Sequence, residues 1–361
     1  MSGIIGHTMY AILGAKASAA RRLPVAPVVQ RHWASYLAGA YVGCDVQTMP
    51  EAICVDTGRE VGYGTARLTR SPLTGGEVRP YALRFRDAHY TPYQVHEMFY
   101  GRAHLVFGWS KADRDGTIPW DHLVEYGALV AEDALDLFGP GERPLAYTSG
   151  WLTHVVGDCL IKSIQPGLDL HLLDGKYTPR NRPIQDLVTY HEIGRKELGL
   201  HWPALWADLA DTPVEPIQLH YMRVGPARGR LAHEYPEGWR PDRQELLGAV
   251  LAENRRYLPV YLARRLEELE LVDTPDGAEC RATWREATGG LTYARMVELA
   301  ERCGFRRALW QIGEAIAELF AQVFQVAQVS GRAPSVSRLP VDDGPTWKDL
   351  TERWLADGPG D

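Results

Sequence analysis

Gly150-Trp151-Leu152-Thr153-His154-Val155-Val156-Gly157-Asp158-Cys159-Leu160-Ile161 sets a histidine and an aspartate four residues apart within an apolar run. On a helix those two side chains share one face, one turn apart. Trp151, Leu152, Val155, Val156, Leu160 and Ile161 cover most of the remaining circumference. A helix that is apolar on all sides belongs inside a core, which predicts a many-helix protein with His154 and Asp158 buried in it. A lone buried carboxylate costs several kcal/mol, comparable with the whole stability of a domain. A divalent metal is the simplest neutraliser. A buried His–Asp hydrogen bond that only orients a core histidine is the other reading of the same residues.

Working outward, apolar periodicity predicts helices over Thr8–Arg22, Val28–Ala40, Pro92–Trp109, Trp120–Leu137, Leu145–Ile164 and Ile184–Leu198. Between Thr57 and Pro80 the chain is rich in Gly, Thr and Arg, and reads as a loop or short hairpin. Prolines at 203, 213, 216 and 226 break the pattern after Gly199. Helices are expected again over Asp242–Leu271, Thr292–Cys303 and Arg306–Val329. The last completes the core or packs against a second copy, giving a homo-oligomer through the C-terminal helices. The expected fold is all-α, with residues 1–200 as a helical core, 201–330 as helices packed on it, and 331–361 as a linker leading to a short helix, Thr346–Leu355. Trp347, Leu350 and Trp354 share one face of that helix.

Composition sets the class. At 361 residues with 45% hydrophobic content the chain can bury a large core. Its formal charge of −7 argues against broad nucleic-acid affinity, which needs a basic surface. A secretory signal pattern and a bilayer-spanning apolar run are both missing. Five cysteines at irregular spacing fit free thiols. The expected location is the cytoplasm.

The chain opens Met1-Ser2-Gly3-Ile4-Ile5-Gly6-His7-Thr8, with a histidine bracketed by glycines near the terminus. Gly-x-x-Gly-His there, His-x-x-Gly-Asp at 154–158 and the pair Gln165-Pro166 together resemble the zinc phosphoesterase superfamily of bacterial phospholipase C and the single-strand-specific zinc nucleases. The resemblance spans Ser2 to about Leu198. It implies a mostly helical bundle, with a loop or small hairpin inserted, holding two or three zinc ions. It also implies that Ser2, once Met1 is removed, supplies backbone ligands where the family usually has tryptophan. Ala38-Gly39-Ala40-Tyr41-Val42-Gly43-Cys44-Asp45 is similar to the family's small-residue turn and nominates Asp45 as a ligand that also orients or deprotonates water. Asp87-Ala88-His89-Tyr90 nominates His89. His7, Asp45, His89, His154 and Asp158 make a donor set suited to two nearby zinc ions. His191 resembles the ligand of a further zinc. Arg195 stands where the family has a carboxylate four residues later, and the histidine after the Gln-Pro pair is His171, with Asp169 beside it.

The resemblance implies a zinc-dependent hydrolase of phosphate esters, either phospholipid or nucleotide, with a single-strand nuclease or nucleotidase as its sibling reading. A noncatalytic helical scaffold that keeps a structural metal is the reading from another class. Arg180, Arg182 and Arg195 could grip substrate phosphate through their forked donors, or simply be solvated. The aromatic run from His89 to Trp109 would line a wall of the site or belong to the core. Cys44 and Cys159 sit in small-residue and apolar runs and read as inert packing. His96-Glu97 and His233-Glu234 lack the second histidine of a zinc protease motif and read as solvated pairs.

Overall fold

The computed structural model describes residues 3–42, 52–56, 60–61, 70–71, 74–95, 124, 127–128, 131–132, 141–163, 181–207 and 241–329. Its elements are α1 (Gly3–Ala20), α2 (Val25–Arg31), α3 (Trp33–Val42), β1 (Ala52–Cys54), β2 (Glu60–Val61), β3 (Val78–Pro80), β4 (Leu83–Phe85), β5 (Ala88–Tyr90) and α4 (Pro92–Val95). There follow α5 (Glu142–Ser163), α6 (Asn181–Val188) running into a π-helix (Thr189–Glu197), α7 (Trp202–Trp206), α8 (Pro241–Leu269), β6 (Val272–Thr274), β7 (Gly277–Glu279), α9 (Ala282–Ala287), α10 (Tyr293–Arg302) and α11 (Phe305–Val329). Helices take 71% of the described residues and the strands are two or three residues long, so the protein is mainly helical.

The quoted stretch lies in α5, and that helix is buried as its composition requires. Trp151, Leu152, Val155, Val156 and Ile161 are each at most 4% exposed. Its neighbours come close where it carries glycine. A Cβ on Gly150 would lie 1.9 Å from the carbonyl oxygen of Tyr36, and one on Gly39 would lie 2.0 Å from that of Tyr147. Helices α3 and α5 therefore meet backbone to backbone. A Cβ on Gly157 would lie 2.1 Å from the Tyr10 ring of α1. Gly150, His154 and Gly157 are four and three residues apart and form one stripe of α5. The histidine thus sits between the two points of closest approach.

Helix α11 packs along α1 and α5, burying Phe305, Leu309, Ile312, Ile316, Phe320, Val323 and Phe324 in the same core as Ile4, Ile5 and Met9. Core completion is therefore what this long apolar helix does. Across α1, Tyr36 donates its hydroxyl to the carbonyl of Ala11 at 2.8 Å. Burial raises its phenol pKa well above the ordinary value.

Several boundaries differ from expectation. Helix α1 begins at Gly3 rather than Thr8, so the two glycines and His7 are part of the helix and not a lead-in to it. The expected second helix is divided at His32, whose backbone leaves the helical region (φ −112, ψ 46). Glu142 in the first turn of α5 accepts from Nε and Nη2 of Arg31, at 2.8 and 2.5 Å, and lies 3.1 Å from His32. That carboxylate favours a helix N-terminus, and the hydrogen bond from Arg31 lowers its pKa below the usual carboxylate value. The 57–80 segment contributes strands to an antiparallel sheet in the order β2-β1-β3. Two hairpins, β4–β5 and β6–β7, and helix α9 were not expected. No helix among the described residues is long and apolar enough to cross a membrane. The expected helix 346–355 lies outside the described residues.

Candidate functional site

His7 of α1 and His154 of α5 lie face to face. Their ring centroids are 3.6 Å apart, the planes are 8° from parallel, and both residues are fully buried. Tyr10, one turn along from His7, presents its ring edge-on at 5.7 Å. Thr8 accepts a hydrogen bond from the Trp206 indole at 3.2 Å, which ties this end of α1 to α7. Thus two residues 147 positions apart, singled out together in the sequence, meet in the core.

The close approach of α3 to α5 sets the chemistry of His154. Its Nδ1 lies 2.8 Å from the carbonyl oxygen of Ala40, the residue after Gly39. A carbonyl only accepts, so Nδ1 carries the proton and, in the neutral ring, Nε2 carries the lone pair. A backbone carbonyl that takes one ring N–H in this way fixes the tautomer, as it does for many metal-ligating or proton-accepting imidazoles. Two positive charges 3.6 Å apart would repel by about 5 kcal/mol even at an effective dielectric near 20. The stack therefore disfavours charge on both rings at once.

The other nominated residues fall in different places. His89 is exposed on β5, opposite Arg84 in the β4–β5 hairpin. Arg195 is exposed, with its guanidinium 6.0 Å from the Tyr190 ring centroid. His191 is buried in the π-helix, and its Nε2 donates to the carbonyl of Leu269 at 2.7 Å. Neither His89 nor His191 joins the stacked pair in a group of three. Among the described residues no three His, Cys, Asp or Glu side chains are grouped to hold a metal. Ser2, Asp45, His171 and Arg180, and the side chains of Asp158 and Arg182, lie outside the described residues. So do Cys44 and the Cys159 side chain. Of the nominated residues whose side chains are described, His7 and His154 are the two that lie together.

The π-helix, a form often found at functional positions, was not expected from the sequence. Burial lowers the His191 pKa below its ordinary 6.5. As pH falls the unfolded chain takes up this proton first. The stability contributed by neutral His191 is complete above about pH 6.5 and is lost as pH falls through the lower folded-state pKa. In an NMR titration the His191 imidazole is expected to reach its midpoint below 6.5. A midpoint at or above that value would contradict its burial.

Comparison of the chain with protein-family models, with curated proteins and with solved structures returned no match.

Proposed function

We propose that this chain is a zinc-dependent hydrolase of phosphate esters, built on a phospholipase C/zinc nuclease-like helical bundle. The observation that supports this most is the His7–His154 stack, with the His154 tautomer set by the Ala40 carbonyl. His7, His154, Asp158 and Asp45 would hold the metal, with the backbone of Ser2 and the side chain of His171 as further ligands implied by the resemblance; His89 and His191, which the resemblance also nominates, are not grouped with the pair. Bound zinc would supply Lewis acidity toward a phosphoryl oxygen and lower the pKa of water to near neutrality. The residues of the chain do the rest. Ala40 holds the His154 ring in orientation, Asp45 positions the attacking water and takes its proton, and Arg180, Arg182 and Arg195 would grip the phosphate. The apolar shell of α1, α3 and α5 excludes bulk water from the imidazoles.

A second reading, a noncatalytic helical scaffold, is favoured by the engagement of His191 with the Leu269 carbonyl and by the exposure of His89. Hydrolysis separates the two. The protein is expected to cleave bis(p-nitrophenyl) phosphate, to lose that activity after dialysis against a chelator, and to regain it with zinc. Activity that survives both chelation and His154→Ala would remove the basis of the proposal. Cleavage of single-stranded DNA without cleavage of phosphatidylcholine would place the enzyme with the nucleases.

A further inference from the structure

Helix α1 ends differently from the π-helix, α9 and α10. Its last turn closes with the Leu23 N–H on the Ser18 carbonyl and the Arg22 N–H on the Ala19 carbonyl, each at 3.0 Å. This is the capping pattern that places a left-handed residue just past the helix. After the π-helix, α9 and α10 that residue is glycine: Gly199 at φ +65, Gly289 at φ +79 and Gly304 at φ +69. After α1 it is Arg22, at φ +55. Glycine would adopt this conformation without strain and a long cationic side chain does not.

Arg22 lines a cleft of about 620 Å³ between α1 and α2, within the roughly 300–1,000 Å³ range of small-molecule sites. Ile12, Leu23, Val29 and Trp33 make its apolar walls, and Lys16 is the second cation on it. Nearby cations are matched by acids: Arg21 pairs with Glu318 and Arg31 with Glu142. Among the described residues neither Lys16 nor Arg22 has a carboxylate within ion-pair distance. An apolar cleft whose exposed rim carries two cations without a carboxylate partner among the described residues is complementary to a molecule with one alkyl chain and one negative head, and the arginine fork matches a planar carboxylate as it does a phosphate.

We propose that this cleft binds a long-chain fatty-acid carboxylate, with Arg22 and Lys16 on the head group and the apolar walls along the chain. The site is separate from the hydrolase reading. Lys16 lies nine residues past His7, roughly 13 Å along the helix axis, and the cleft residues include none of the nominated ligands. Isothermal titration calorimetry of the full chain tests it, using laurate and, as a charge-reversed control of equal chain length, dodecyltrimethylammonium. The expected result is laurate binding that is tighter than that of the ammonium and weakened about tenfold or more in Arg22→Gly and in Lys16→Gln. Arg22→Gly is expected to hold or raise the melting temperature, because glycine relieves the positive φ, so weaker binding there cannot be assigned to misfolding. Absence of laurate binding, equal affinity for the two amphiphiles, or affinity unchanged in both variants would overturn the proposal. Self-association at rising concentration, insensitive to laurate and abolished by Arg22→Gly, would assign the cleft to a second copy and overturn it too.

Discussion

Asp186→Ala is expected to cost about 3–5 kcal/mol of stability, the range for breaking a buried ion pair from one side. Asp186 on α6 accepts from Arg265 on α8 at 2.7 Å, and the other terminal nitrogen of Arg265 reaches Glu268 at 2.7 Å. Arg264 lies 3.2 Å from the second Glu268 oxygen. All four residues are at most 4% exposed. The Trp284 indole donates to the Glu268 carbonyl at 2.7 Å and lies under the Arg265 guanidinium at 5.9 Å. Among the described residues two arginines face two carboxylates. Removing Asp186 takes one carboxylate from Arg265 where burial keeps water from replacing it. Against the roughly 5–15 kcal/mol that holds a domain folded, the loss is severe and is read as a lower urea midpoint. The double variant Asp186→Leu, Arg265→Met removes both charges and is expected to recover much of the loss. A double variant less stable than the sum of the singles would contradict this account.

Gly150→Ala is expected to cost about 3 kcal/mol, the upper end of ordinary overpacking, because its methyl would meet the Tyr36 carbonyl at 1.9 Å. The obstacle is the backbone of α3, so no rotamer change relieves it and the helices must separate. Gly39→Ala presses on the Tyr147 carbonyl from the other side and should act alike. The consequence reaches the site. The same contact holds the Ala40 carbonyl 2.8 Å from His154 Nδ1, so separating the helices frees the His154 tautomer. Weaker zinc retention should therefore accompany the fall in melting temperature. Loss of stability with the Nδ1–H signal of His154 unchanged by NMR would show that the two are not linked.

Helix α5 was legible because apolar residues on every side leave a helix nowhere but the core. Its glycines were in plain sight, yet their role depends on what α3 and α1 present, which no local pattern carries. The break at His32 had no proline or glycine to announce it, and the His32 side chain meets Glu142, 110 residues away. The β6–β7 hairpin did have a signal in Pro275-Asp276-Gly277, where Gly277 takes φ +115. Three-residue strands are too short to show alternation, which hid both hairpins. His89 was nominated by resemblance alone, and the structure places it on one of those hairpins. The Arg22 cap was unreadable for the opposite reason: the sequence rule expects glycine there, and the departure shows only in the backbone.

Zinc content tests the central claim most directly. Plasma mass spectrometry on the untagged chain is expected to find about two or three zinc ions per molecule, lost in the double variant His154→Ala, Asp158→Ala. A wild-type chain without stoichiometric metal would contradict the account and leave the stacked histidines as a packing feature of a helical scaffold.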